Sequence, residues 1–107
     1  MIDEQKLNRF KKLHEDEYPI IKIGSSYYTP NDLYEEEIEL PLTYEPDWEL
    51  LALRLEMKYS DGRLITIHCS EGTFTPEQQI DEIRNKSKMG YRFMMTEQGL
   101  IEYLLEE

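Results

Sequence analysis

A single cysteine, Cys69, stands in this 107-residue chain, and one thiol closes no internal disulfide. A cytoplasmic address is the expectation. The opening MIDEQKLNRF agrees with it, because it has no apolar stretch of the length a secretion signal needs. Long hydrophobic runs are missing too. The longest, Leu50 to Leu53, is far short of the roughly 18 to 20 apolar residues that cross a bilayer. The five glycines are scattered and form no phosphate-cradling loop, so no nucleotide site is implied. Two histidines and one cysteine do not compose a zinc set. The carboxylates lack the alternating Asp/Asn and central glycine of a calcium loop. No cofactor or metal is expected.

What the chain has in excess is negative charge. Lys and Arg number 12 against 23 Asp and Glu, for a net charge of -11. Such a surface repels nucleic-acid phosphates and anionic lipids, so neither direct nucleic-acid binding nor membrane binding is expected. An apolar share of 39% with eight Tyr, three Phe and one Trp still suffices for a core. A length of 107 residues fits one domain over 1–107, since two cores would each be too small to hold.

Hydrophobic spacing and cap chemistry then divide the chain. Asp3 reads as an N-cap, and Leu7, Phe10 and Leu13 share one face of a helix over about 3–16, ended by Pro19. Residues 20–23 and 27–29 flank a glycine-containing turn and read as a short hairpin. Thr29, Pro30 and Asp32 reproduce a capped helix start, good for one or two turns. Pro41 and Pro46 make the following stretch an extended connection. From Trp48 to Tyr59, Leu51, Leu53, Leu55, Met57 and Tyr59 alternate with Arg54, Glu56 and Lys58, the pattern of a half-buried strand. With a three-residue loop holding Gly62 in the left-handed position, it pairs with 63–70 so that Met57, Leu55 and Leu53 face Ile65, Ile67 and Cys69. Thr75, Pro76 and Gln78 open a helix over about 76–89, closed by Gly90. Tyr91 to Met95 reads as a short strand, and Thr96 caps a helix over about 96–106 carrying Leu100, Ile101, Leu104 and Leu105 on one face. That face suits the sheet or a second copy, so a homodimer is an alternative. No internal repeat is legible. The expected fold is α+β: a small antiparallel sheet around the long hairpin at 48–59 and 63–70, with helices packed on it.

The charge excess is local. The 31 residues between Lys22 and Arg54 contain eight acids and no Lys, Arg or His, which leaves 15 acids against 12 bases elsewhere. Asp32, Glu35, Glu36, Glu37, Glu39, Glu45, Asp47 and Glu49 are interleaved with Tyr34, Tyr44 and Trp48. Those aromatic types join apolar area to a polar tip and anchor interfaces. The eleven residues form the candidate partner-binding set, directed at a basic surface on another protein. The most common basic surfaces in cells bind nucleic acid. The arrangement is similar in type to small inhibitors of phages and mobile elements, such as anti-CRISPR proteins and nucleic-acid mimics, without a sequence match to them. The competing reading is a solvated acidic face with aromatics packed beneath.

Catalytic patterns are weaker, and a non-enzymatic protein is expected. Pro46-Asp47 with Glu56-Met57-Lys58 matches the short pattern of PD-(D/E)xK nucleases, whose carboxylates hold magnesium while a lysine activates water. On one straight strand, however, Asp47 and Glu56 stand about 30 Å apart. His68 and Cys69 are neighbours on a strand and point to opposite faces, so they form no nucleophile and base pair, and Cys69 is expected in the core. His14 sits just past the first helix's apolar row. Met89, Met94 and Met95 around Tyr91 and Phe93 suit a core more often than an adaptable interface.

Overall fold

A computed structural model describes residues 1–45 and 47–106. Among these the order is α1 (Glu4–Lys12), β1 (Ile21–Ile23), β2 (Ser26–Tyr28), α2 (Pro30–Glu35), α3 (Trp48–Ser60), β3 (Ile67–Cys69), β4 (Gly72–Phe74), α4 (Pro76–Arg84) and α5 (Lys88–Leu105). The class is α+β with very little sheet: two separate antiparallel hairpins, β1 with β2 and β3 with β4.

Local chemistry sets the helix starts. The Asp3 carboxylate accepts from Lys6 N at 2.7 Å, and Asp47 accepts from Leu50 N at 3.1 Å. Thr29 with Asp32, and Thr75 with Gln78, close reciprocal capping boxes, each with proline in the first turn. Ser87 caps α5 through Gly90 N at 2.9 Å.

The long hairpin at 48–59 and 63–70 is not present. Residues 48–60 are the helix α3, and β3 covers only 67–69 and pairs with β4. The buried residues Leu50, Leu51, Arg54 and Leu55 have helical spacing. Arg54 belongs to the buried set despite its charge, and counting it as solvent-facing is what produces an apparent alternation. Gly62 does take a left-handed φ of 72°, but as the terminator of α3: Arg63 N donates back to Lys58 O at 2.8 Å and Gly62 N to Tyr59 O at 3.0 Å.

Three further boundaries differ. α1 stops at Lys12, ahead of Pro19, because His14 turns left-handed at φ 57°; Leu13 thereby leaves the apolar face and lies 54% exposed. The helix at 76–89 stops at Arg84 with Lys86 at φ 51°. Tyr91 to Met95 and Thr96 lie within α5, so neither the short strand nor a cap at Thr96 exists. Pro46 lies outside the described residues. Cys69 is half-buried rather than core.

An internal repeat does exist, carried by geometry more than by identity. A helix, a hairpin with a two-residue turn, and a Thr-Pro-capped helix occur twice, and Ile21, Thr29 and Pro30 recur as Ile67, Thr75 and Pro76. The registers correspond: Ile21 faces Tyr28 as Ile67 faces Phe74. The four helices of the repeat all end with the same backbone pair of reverse hydrogen bonds, around His14, Glu37, Gly62 and Lys86.

One buried cluster joins both units, from Leu7, Phe10 and Ile21 to Leu51, Leu55, Ile83, Ile101 and Leu104. Leu100 and Leu105 pack against it from the edge, so the apolar row of α5 is used inside the chain. Lys6 Nζ reaches the free carbonyls at the end of α5, donating to Leu104 O at 3.2 Å and to Glu106 O. Those carbonyls have no basic residue of their own helix to meet them.

Across the middle runs a ring of four charges. Arg54, 1% exposed, donates through Nη2 to Glu15 at 2.6 Å and to Glu97 at 2.9 Å, and through Nη1 to Pro19 O at 3.0 Å. Lys58 closes it at 2.6 Å from Glu15 and 3.5 Å from Glu97. Burial alone would raise the Glu97 carboxyl, but Arg54 and Lys58 outweigh it and hold it below the ordinary value.

Arg54→Ala leaves Glu15 and Glu97 to share Lys58 alone, with one carboxylate charge uncompensated, and is expected to cost about 3–5 kcal/mol in urea unfolding. A Glu97 held low gives stability that is complete above the unfolded carboxylate value of about 4.3 and is lost as pH falls through the folded value. Glu97→Gln is expected to flatten that acid limb. At the α4–α5 corner, a Cβ on Gly90 would collide with the backbone carbonyl of Glu82, whereas one on Gly99 meets open space. Gly90→Ala should therefore lower stability by about 1–3 kcal/mol, and Gly99→Ala should raise it by about 0.5–1 kcal/mol, both measured by denaturant titration.

Candidate acidic docking surface

The candidate residues divide into those that hold the fold and those that face solvent. Asp32 and Asp47 are helix caps, each with a carboxylate oxygen on backbone amides. Tyr44 is half-buried; its hydroxyl accepts from Lys22 N at 3.1 Å and so pins the connection to β1. Burial, with Asp47 adding, pushes the Tyr44 phenol up, so it remains a neutral hydroxyl at ordinary pH. Trp48 is half-buried in the first turn of α3, its ring 6.4 Å from that of Tyr91.

Glu35, Glu36, Glu37, Glu39, Glu45 and Glu49 are exposed, as is Tyr34. Among the described residues none of these six carboxylates makes an ion pair. Four of them line two separate cavities, and Glu36 and Glu39 line neither. Glu35 and Glu37 meet Tyr34 and Asp3 beside the chain start. Tyr44, Glu45, Asp47, Trp48 and Glu49 line an open cleft of about 480 Å³, with Lys22 and Lys86 at its rim. Lys22 is already engaged there, 3.8 Å from Asp47 and 5.6 Å from the Tyr27 ring.

The placement of Glu35 to Glu37 works against local stability. They occupy the carbonyl end of α2, the negative pole of the helix, and no basic residue sits in its last turn. Glu37 also takes φ 52°, a left-handed conformation that costs an ordinary residue roughly 1–2 kcal/mol. At the three equivalent ends the same position holds His14, Gly62 and Lys86, residues suited to that pole or to that backbone. Of the four left-handed positions only Glu37 is an acid.

The nuclease-like residues are not brought together. Asp47 caps α3 beside Lys22, Glu56 pairs with Arg84, and Lys58 belongs to the buried ring. Nine residues along a helix separate Asp47 from Glu56 by about 13 Å, and Pro46 lies outside the described residues. Among the described residues no three His, Cys, Asp or Glu side chains gather to hold a metal ion, and no helix is long and apolar enough to cross a membrane.

Sequence reasoning reached the acids and aromatics of the cleft but missed Lys22, Gly24 and Lys86, which line it from β1 and from the end of α4. Lys22 carries a signal, since it is the last base before the acidic run. Lys86 carries none, because its place depends on how the units pack. No family model, curated protein or solved structure matches the chain. The functional reading therefore rests on geometry and charge.

If Glu37 is retained against stability, Glu37→Gly should raise the unfolding free energy by about 1 kcal/mol. Lys86→Gly, where the charge suits the helix pole, should gain less. Paired denaturant curves test the contrast.

Proposed function

We propose that this protein is a non-enzymatic acidic docking domain whose segment from Asp32 to Glu49 binds a basic surface of a partner protein. A nucleic-acid-binding enzyme is the preferred partner, blocked because the carboxylates take the place of phosphates. The carrying observation is the set of unpaired, exposed carboxylates at the end of α2, which the fold holds at a cost to itself. Residues that oppose local stability in an otherwise well-capped chain mark positions kept for another purpose.

A basic partner offsets the mutual repulsion of Glu35, Glu36 and Glu37 and speeds encounter through the long-range field. Trp48 and Tyr44 in the cleft lined by Glu45 and Glu49 supply the desolvated contact that pure charge attraction lacks. A lysine or arginine of the partner entering that cleft meets aromatic faces together with Glu45 and Glu49.

Trp48 is the chain's one tryptophan, so a 5-fluorotryptophan label places a single fluorine resonance at the cleft whatever tryptophans the partner carries. Titration with nucleic-acid-binding enzymes from the native cell is expected to shift that resonance. Affinity should fall at least about 10-fold between low and high salt. Glu35→Lys, Glu36→Lys and Glu37→Lys together should cost a comparable factor. Association that ignores ionic strength and survives the triple reversal would sink the reading.

A further inference from the structure

A second cleft, of about 350 Å³, opens where the two repeated units meet. The ends of α1 and α3 wall it, with Leu13, His14 and Glu15 on one side and Lys58, Arg63 and Ile65 on the other. It shares no residue with the acidic surface.

Its charge differs from that of the rest of the surface. Both Glu15 oxygens are taken, Oε1 by Lys58 and Oε2 by Arg54, and Glu97 balances the remaining cation of the ring. The floor is therefore neutral. Arg63 donates to His14 O at 3.4 Å and lies against the Tyr18 hydroxyl, which also lines the cleft, and among the described residues it makes no ion pair. Asp61, two residues before it, accepts from the Tyr18 hydroxyl at 2.6 Å and keeps its charge, but it is not within ion-pair distance of Arg63. At the mouth stand two aliphatic side chains that the core does not use, Leu13 at 54% and Ile65 at 73% exposure.

We propose that this cleft binds a small amphipathic carboxylate, with its acid group on the Arg63 guanidinium and its alkyl chain against Leu13 and Ile65. A guanidinium matches a carboxylate in a two-point fork. The cleft volume is at the small end of ligand sites, which suits a chain of several carbons rather than a polycyclic molecule. Binding a single anion here is compatible with a net charge of -11 because a carboxylate carrying a tail gains apolar contact as well as its ion pair.

Octanoate is the probe, titrated into the full chain and followed by amide resonances. Saturable shifts are expected at Leu13, His14, Arg63 and Ile65. Octylamine, with the same tail and opposite charge, and acetate, with no tail, should each bind at least about 10-fold more weakly. Arg63→Gln should lose about 10-fold in octanoate affinity, and Arg63→Lys should keep part of it. Ile65→Ser, at a position too exposed to disturb folding, should weaken octanoate while leaving the unfolding midpoint unchanged. Equal binding of octanoate and octylamine overturns the proposal. So does an Arg63→Gln protein that binds as well as the parent, or the absence of saturable shifts at these four residues.

Discussion

The fold turns on a buried guanidinium. Arg54 is fully enclosed, and a charge in that position is tolerable only when every side of it is met. Glu15 comes from just after α1, the Pro19 carbonyl from the approach to β1, and Glu97 from the middle of α5. Glu15 and Pro19 belong to one connection, but that connection and Glu97 are both far in sequence from Arg54, so satisfying one side chain fixes the relative placement of the segment after α1, of α3 and of α5. The net neutrality of the ring matters as well, since an uncompensated charge at the centre would add to a chain already strained by its own negative excess.

That same side chain explains the largest error of sequence reasoning. A pattern reading places charge outside, and with Arg54 outside the run from Trp48 to Tyr59 alternates like a strand. With Arg54 and Leu55 inside, beside Leu50 and Leu51, the period is helical. The information was present in the sequence only as a pair of long-range partners, Glu15 and Glu97, which no local window joins. Cap chemistry was legible for the opposite reason. Asp3, Thr29 with Asp32, and Thr75 with Gln78 act across three residues, and their geometry is decided locally. Gly90 shows the intermediate case: its lack of a side chain reads as a helix end, yet it serves the close approach of α5 to the Glu82 carbonyl.

The candidate surfaces divide along the same line. Counting acids and bases along the chain exposed the segment from Asp32 to Glu49, because charge composition needs no tertiary knowledge. Which of those acids the fold consumes as caps, and which it leaves free, required the structure. The cleft between the two units was invisible to sequence, since Leu13 reads as core and Arg63 as a strand residue until α1 and α3 are seen to end side by side. The repeat was hidden likewise: three identities in a dozen residues do not announce a duplicated geometry.

That duplication has a consequence for how this surface changes over generations. Four helices stop by one backbone arrangement, and the residue at the turning point differs each time: His14, Glu37, Gly62 and Lys86. The reverse hydrogen bonds around each are made by main chain, so they survive exchange of the side chain there, and every residue but glycine carries the same left-handed cost. The termini act as interchangeable sockets, places where the sign of the surface can be rewritten one residue at a time while the ring around Arg54 keeps the architecture in register.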